Sequence, residues 1–151
     1  MRANYSGPIG YGANWDRIDQ VGFWSELDFI GVSAFWPVSD VATADVGALM
    51  FGWIRGVSEL EALSTRTGKP VLFTEAGYLN AVGSTVEPWD EFLDTPRSDE
   101  TQAAAYEALL RVFDPRDWFV GVHWWEWIRV GDTGYSPEGL AAQSVLDNRY
   151  R

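Results

Sequence analysis

Four short apolar runs alternate along the chain with segments of helical periodicity. The first, Pro8-Ile-Gly-Tyr-Gly-Ala-Asn-Trp15, reads as a strand with small residues interleaved, a sign of close backbone approach or a tight barrel interior. Asp16 is placed to cap a short helix through Val21, and Phe23, Trp24 and Leu27 are expected to pack that turn on the sheet. A second apolar run spans Leu27 to Pro37, where the proline stops it. From Asp45 to about Thr67, Val46, Leu49, Met50, Trp53, Ile54, Val57, Leu60 and Leu63 recur at helical spacing, and Gly68 follows as a C-cap. Lys69-Pro70 then leads into Val71-Leu72-Phe73, a continuously apolar strand that delivers Glu75 and turns at Gly77.

The second half repeats the alternation. A polar loop from Asn80 to Arg97 carries Trp89 in its middle, and a loop this long in a compact domain is usually functional or mobile. Ser98 or Asp99 opens a helix to Phe113 with Ala103, Tyr106, Leu109, Leu110 and Phe113 as its apolar stripe. Trp118 to Trp127 reads as the fourth strand, with aromatic residues crowded at its exit. A glycine-containing loop, Gly131 to Tyr135, follows it. Ser136 with Pro137 predicts a last helix through about Leu146. Four βα units with crossovers of helical length define a parallel sheet in the α/β class.

Composition changes this picture in a few places. The 151 residues fit one domain, and 46% hydrophobic content supports a folded core. A net charge of −11 argues against nucleic acid or an anionic membrane as partner. Cysteine is absent, so thiolate chemistry and disulfides are excluded. The single histidine, His123, argues against a multi-histidine metal site or a Ser-His-Asp triad and reads as a hydrogen-bonded packing residue. No metal and no cofactor are implied. No apolar run is long enough to span a bilayer, the N-terminus carries no signal-peptide h-region, and localisation is left open. Nine tryptophans stand out, because an indole suits sugar stacking as well as core packing.

The predicted strand ends present Asn14-Trp15, Phe35-Trp36, Glu75 and Trp125-Glu126-Trp127. α/β folds put their chemistry at that end of the strands, so Glu75 is the candidate catalytic carboxylate. A carboxylate ringed by aromatic side chains suits carbohydrate, and Asn14, Trp15, Trp36, Tyr78, Trp125 and Trp127 are the candidate substrate contacts. Glu126 neighbours Trp125 on the adjacent pleat and is expected to point away from the interior.

Several segments together resemble glycoside hydrolase family 113, the β-mannanase-type family of the (β/α)8-barrel retaining hydrolases. They are Tyr11-Gly-Ala-Asn-Trp15, Leu27-Asp-Phe-Ile-Gly-Val-Ser-Ala-Phe35, Gly68-Lys-Pro-Val-Leu-Phe-Thr-Glu-Ala-Gly-Tyr78, Pro88-Trp89 and Asp132-Thr-Gly-Tyr-Ser-Pro-Glu-Gly139. The resemblance implies that Glu75 ends the seventh barrel strand as nucleophile and that Trp125 floors a sugar subsite. It implies that residues 1–151 form one domain equivalent to strands five to eight, since a whole barrel takes roughly 250 residues. The family's acid/base glutamate, in an Asn-Glu pair ending the fourth strand, then has no counterpart in this chain. Phe35 and Trp36 stand where the clan commonly has a tyrosine, and Gly139-Leu140 where glycine-lysine is usual.

Three readings stay open on the sequence: a retaining hydrolase of β-mannan or a related β-linked polysaccharide, a carbohydrate-binding remnant without turnover, and an inactive fragment. A half barrel exposes two strand edges, and Val71, Phe73 and Val122 are expected to form an apolar inner face. An N-terminal half-barrel or self-association is the expected partner for that face.

Overall fold

The computed structural model describes residues 3–128 and 134–150. Four parallel strands, β1 (Gly10–Asn14), β2 (Phe29–Ser33), β3 (Val71–Ala76) and β4 (Phe119–Trp124), form one sheet in chain order. Two 3-10 turns join β1 to β2, α1 (Val46–Gly52) and α2 (Ile54–Thr67) join β2 to β3, α3 (Asp99–Phe113) joins β3 to β4, and α4 (Ala141–Arg149) follows β4. All four helices contribute side chains to one core with the sheet. This is the α/β arrangement read from the sequence, with strands shorter than the apolar runs that announced them.

The helix ends follow their capping residues. Asp45 Oδ1 accepts from Ala48 N–H at 2.7 Å, starting α1. Gly68 adopts φ +67° and donates its N–H to the Ser64 carbonyl, a left-handed stop open to glycine at little cost. Ser64 Oγ then donates to the Lys69 carbonyl, tying the helix end to the start of β3. Ser98 Oγ accepts from Thr101 N–H to open α3, and Asp99 and Glu100 sit favourably in its first turn.

Three predicted boundaries shift. The single helix expected from Asp45 to Thr67 divides at Trp53, whose side chain is fully buried. Gly52 lets the end of α1 lie close against the Val38 backbone, because a Cβ there would overlap the Val38 carbonyl. Asp16 caps nothing; only a 3-10 turn at Ile18–Gln20 forms, and Asp16 pairs with Arg17 instead. Trp24 supplies the anchor for this region, buried with its Nε1 donating to the Ile18 carbonyl. Ser136 and Pro137 do not open α4. Ser136 Oγ accepts from Glu138 N–H in a local turn, and the helix starts at Ala141.

The core lies between sheet and helices. Ile30, Val32, Val71 and Phe73 are wholly buried on that side. Phe73 stacks on Trp53 at 6.0 Å and meets Phe113 edge-on at 4.8 Å, so β3 is pinned between the α1–α2 junction and α3. This corrects the expected inner face: Val71 and Phe73 face the helices, and Val122 packs against the same core. The opposite, concave side is lined by smaller and mixed residues. Phe29 lies over Gly10, and Thr74 fills the space beside Gly12 and Gly31.

Candidate active site

Register decides what reaches the rim. Asn14 pairs with Ser33, and Ser33 pairs with Glu75, so the three lie side by side across β1, β2 and β3. Strict alternation from buried Phe73 would send Glu75 to the helix side. The register slips between Val32 and Ser33, pairing Val32 with Phe73 but Ser33 with Glu75. This irregularity puts Glu75 level with Ser33 on the concave side while Ala76 takes the buried position. Glu75 is half-buried, and no described side chain is hydrogen-bonded or ion-paired to its carboxylate. The backbone there is firmly held, with Ala34 N–H donating to the Glu75 carbonyl at 2.7 Å.

The neighbouring strand presents Trp125. Its N–H donates to the Ala76 carbonyl at 2.8 Å, extending the β3–β4 pairing one residue past β4. Gly77 has no side chain because the Trp125 carbonyl oxygen occupies the place a Cβ would take. Trp125 is 43% exposed and Trp127 48% exposed, whereas Trp124 stacks on Tyr106 of α3 at 4.0 Å. The two outer indoles are therefore available to a ligand and Trp124 is not. The Trp125–Glu126 peptide is cis. His123 is exposed, so it is not the packing residue expected.

Two predicted contacts fall elsewhere. Trp36 is 3% exposed and packs among Trp15, Trp53 and Phe73, making it a core residue. Tyr78 is wholly buried against Tyr106, and burial pushes its hydroxyl far above the ordinary tyrosine range. Neither is placed to touch a ligand on the rim. Asn14 is exposed and Trp15 half-buried, both at the end of β1.

Sequence reasoning missed the residues that hold the rim together. Gln102 of α3 is fully buried, and its Nε2 donates to the carbonyls of Tyr78 at 2.9 Å, Tyr135 at 3.0 Å and Gly134 at 3.3 Å. Asn80 accepts from Gly134 N–H through its side chain and donates its own N–H to the Gly134 carbonyl. The loop after Glu75 and the loop after β4 are thus fastened to each other and to α3. Tyr135 is 7% exposed, edge-on to Phe35, and its hydroxyl donates to the Pro88 carbonyl at 2.7 Å. Burial, with the carboxylates of Glu91, Asp90 and Glu126 next, holds that hydroxyl well above its usual range. A glutamine within an alanine-rich apolar stripe was the one sequence signal for this clamp. Gly131, Asp132 and Thr133 of the predicted glycine-containing loop lie outside the described residues. Among the described residues, no cluster of three or more His, Asp or Glu side chains could hold a metal.

The four-stranded parallel sheet superposes on half of a (β/α)8 barrel. The sequence profile of Glycoside Hydrolase Family 113 matches residues 1–140, and the chain belongs to that family. The structure superposes on a GH113 β-1,4-mannanase in complex with TM-score 0.84 at 25% identity, over 99% of this chain and 47% of the mannanase. The GH113 β-mannanase AaManA of Alicyclobacillus acidocaldarius gives TM-score 0.83 at 27% identity, over 99% of this chain and 46% of that one. A β-glucuronidase of Faecalibacterium prausnitzii, 19% identical, shares the fold with TM-score 0.65, over 95% of this chain and 25% of the enzyme. The chain thus spans about half the length of the mannanases it matches. No curated protein matches it.

Proposed function

We propose that this chain carries the nucleophile side of a retaining glycoside hydrolase site for β-mannan or a related β-linked polysaccharide. In this reading β1 to β4 are strands five to eight of the barrel, and Glu75 is the nucleophile. The observation that carries it is Glu75 set level with Ser33 on the concave face at the end of β3, with the exposed Trp125 following the adjoining strand and bonded through its N–H to Ala76, in a chain of this family. Asn14, Trp15, Trp125 and Trp127 are the proposed substrate contacts.

The chemistry follows from two carboxyl groups about 5–5.5 Å apart. The Glu75 carboxylate attacks the anomeric carbon as the glycosidic bond breaks. A second carboxyl protonates the leaving oxygen, and a glycosyl ester forms on Glu75. Water then attacks the same carbon, giving its proton to the second group and releasing Glu75. That second carboxyl is proposed to come from outside these 151 residues, on a complementary half-barrel that also covers the concave face.

A sugar with a good leaving group separates Glu75 from its missing partner. A 2,4-dinitrophenolate departs without protonation, and a 2-fluoro substituent slows release of the ester. Incubation with 2,4-dinitrophenyl 2-deoxy-2-fluoro-β-mannoside is expected to add one glycosyl mass to the peptide containing Glu75. The Glu75→Gln chain should take up none. Labelling of another residue, or of none in the parent chain, would remove Glu75 as nucleophile. The exposed indoles of Trp89, Trp125 and Trp127 also favour a second reading, carbohydrate binding without turnover. It is distinguished by manno-oligosaccharide binding with no labelling.

A further inference from the structure

Away from Glu75, at the end of β1, lies a cleft of about 330 Å³ lined by Asn14, Trp15, Asp16, Phe35 and Trp89. Its wall is unusual for a surface loop. Trp89 belongs to the long connection after β3, yet its indole stacks on Trp15 with centroids 5.6 Å apart and planes 23° apart. Trp15 is itself anchored, since its N–H donates to the Ser33 carbonyl at the end of β2 and its ring leans on buried Trp36. Trp89 remains 45% exposed, so a broad indole face is offered to solvent at the expense of apolar hydration.

The loop is also tethered from the other side. The hydroxyl of buried Tyr135 donates to the carbonyl of Pro88, the residue immediately before Trp89. The Tyr135 backbone is in turn fixed by Gln102, and its ring meets Phe35 edge-on at 6.4 Å. Loops following β2, β3 and β4 therefore converge on one aromatic wall. A rigid aromatic face flanked by an amide and a carboxylate matches a pyranose ring, which presents an apolar C–H face and a rim of hydroxyls. A nucleotide or acidic ligand suits it poorly, because Asp16 lines the cleft.

We propose that the Trp15–Trp89 cleft is a distal glycosyl subsite for one pyranose unit of a β-linked oligosaccharide, with Tyr135 as the residue that positions Trp89. Asn14 is separated from Glu75 by two strand spacings, roughly 10 Å, so only an oligosaccharide bridges the two places. The inference rests on the carbohydrate reading of the rim, and it adds a length requirement that Glu75 and Trp125 alone do not impose.

Calorimetric titration of the full chain with β-1,4-mannohexaose and with mannobiose tests it. Trp89→Ala is expected to weaken the hexaose about tenfold while the disaccharide changes by less than about twofold. Tyr135→Phe keeps the ring but removes the hydroxyl, and is expected to weaken the hexaose about fivefold and to raise amide exchange around Val86 to Leu93. Unchanged hexaose affinity in Trp89→Ala, or no hexaose binding by the parent, overturns the subsite. Unchanged exchange in Tyr135→Phe overturns the tether. The small fluoro-sugar needs only the place beside Glu75. Intact Glu75 labelling with unchanged hexaose affinity sinks the cleft alone. Lost labelling with a Trp89-dependent hexaose affinity sinks the nucleophile alone.

Discussion

At the scale of single residues, backbone proximity sets the site as much as the functional side chains do. Gly77 sits directly after the strand that carries Glu75, with no positive φ to explain it. It is required by distance, because a Cβ would overlap the Trp125 carbonyl. Gly77→Ala is therefore expected to destabilise the protein by about 1–3 kcal/mol, the range for overpacking a tight contact. It should also displace Trp125, visible as a change in tryptophan fluorescence. Unaltered denaturant midpoint and fluorescence would show that the two strand ends part without cost. In the sequence Gly77 is legible only as a turn residue, because the atom it makes room for lies 48 positions away in the chain. The same limit applies to Trp36. A tryptophan ending an apolar run reads equally as platform or core, and only the surrounding rings of Trp15, Trp53 and Phe73 decide for the core.

At the scale of elements, local signals placed most of the helix and strand ends, and tertiary contacts moved the others. Gly68 and Ser98 act within a few residues of themselves, so their caps were legible. The division of α1 from α2 at buried Trp53 and the late start of α4 after a turn around Ser136 leave no periodic trace. The Gln102 clamp belongs to this scale, because one helix side chain fastens the loops after β3 and β4. Gln102→Leu keeps much of the volume but leaves the Tyr78 and Tyr135 carbonyls without that donor. The expected cost is about 2–4 kcal/mol, from buried acceptors left unsatisfied. Faster amide exchange at residues 78–80 and 134–136 than within α3 should accompany it. If the loss of stability came with uniform exchange across the molecule, the clamp would be a packing residue and no more.

At the scale of the whole molecule, a four-stranded parallel sheet with one covered face is incomplete by ordinary rules. Parallel sheets are normally buried on both sides, and β1 and β4 each present an edge with no neighbour among the described residues. Val120 on β4 is 58% exposed, as is expected of a strand whose other side has no cover. The chain is expected to associate with itself or with a complementary half-barrel at micromolar concentration. Sedimentation velocity over a hundredfold range of concentration reads this as a rising mean mass. A constant monomer mass would mean that the concave face tolerates water. Its content of Gly12, Asn14, Gly31, Ser33 and Thr74 makes that face less apolar than the sequence reading supposed.

What the sequence determined by itself was the alternation of buried strands and helices, the parallel order, and Glu75 as the carboxylate at a strand end. Each is encoded in local periodicity and in residues adjacent along the chain. What only the tertiary structure decided was facing and grouping. The register shift turns Glu75 inward, Trp36 and Tyr78 go to the core, and Trp15, Phe35, Trp89 and Tyr135 come together from four separate segments. Side-chain direction at a shifted register and contacts across dozens of residues depend on the neighbouring strand and on packing, and no local pattern carries them.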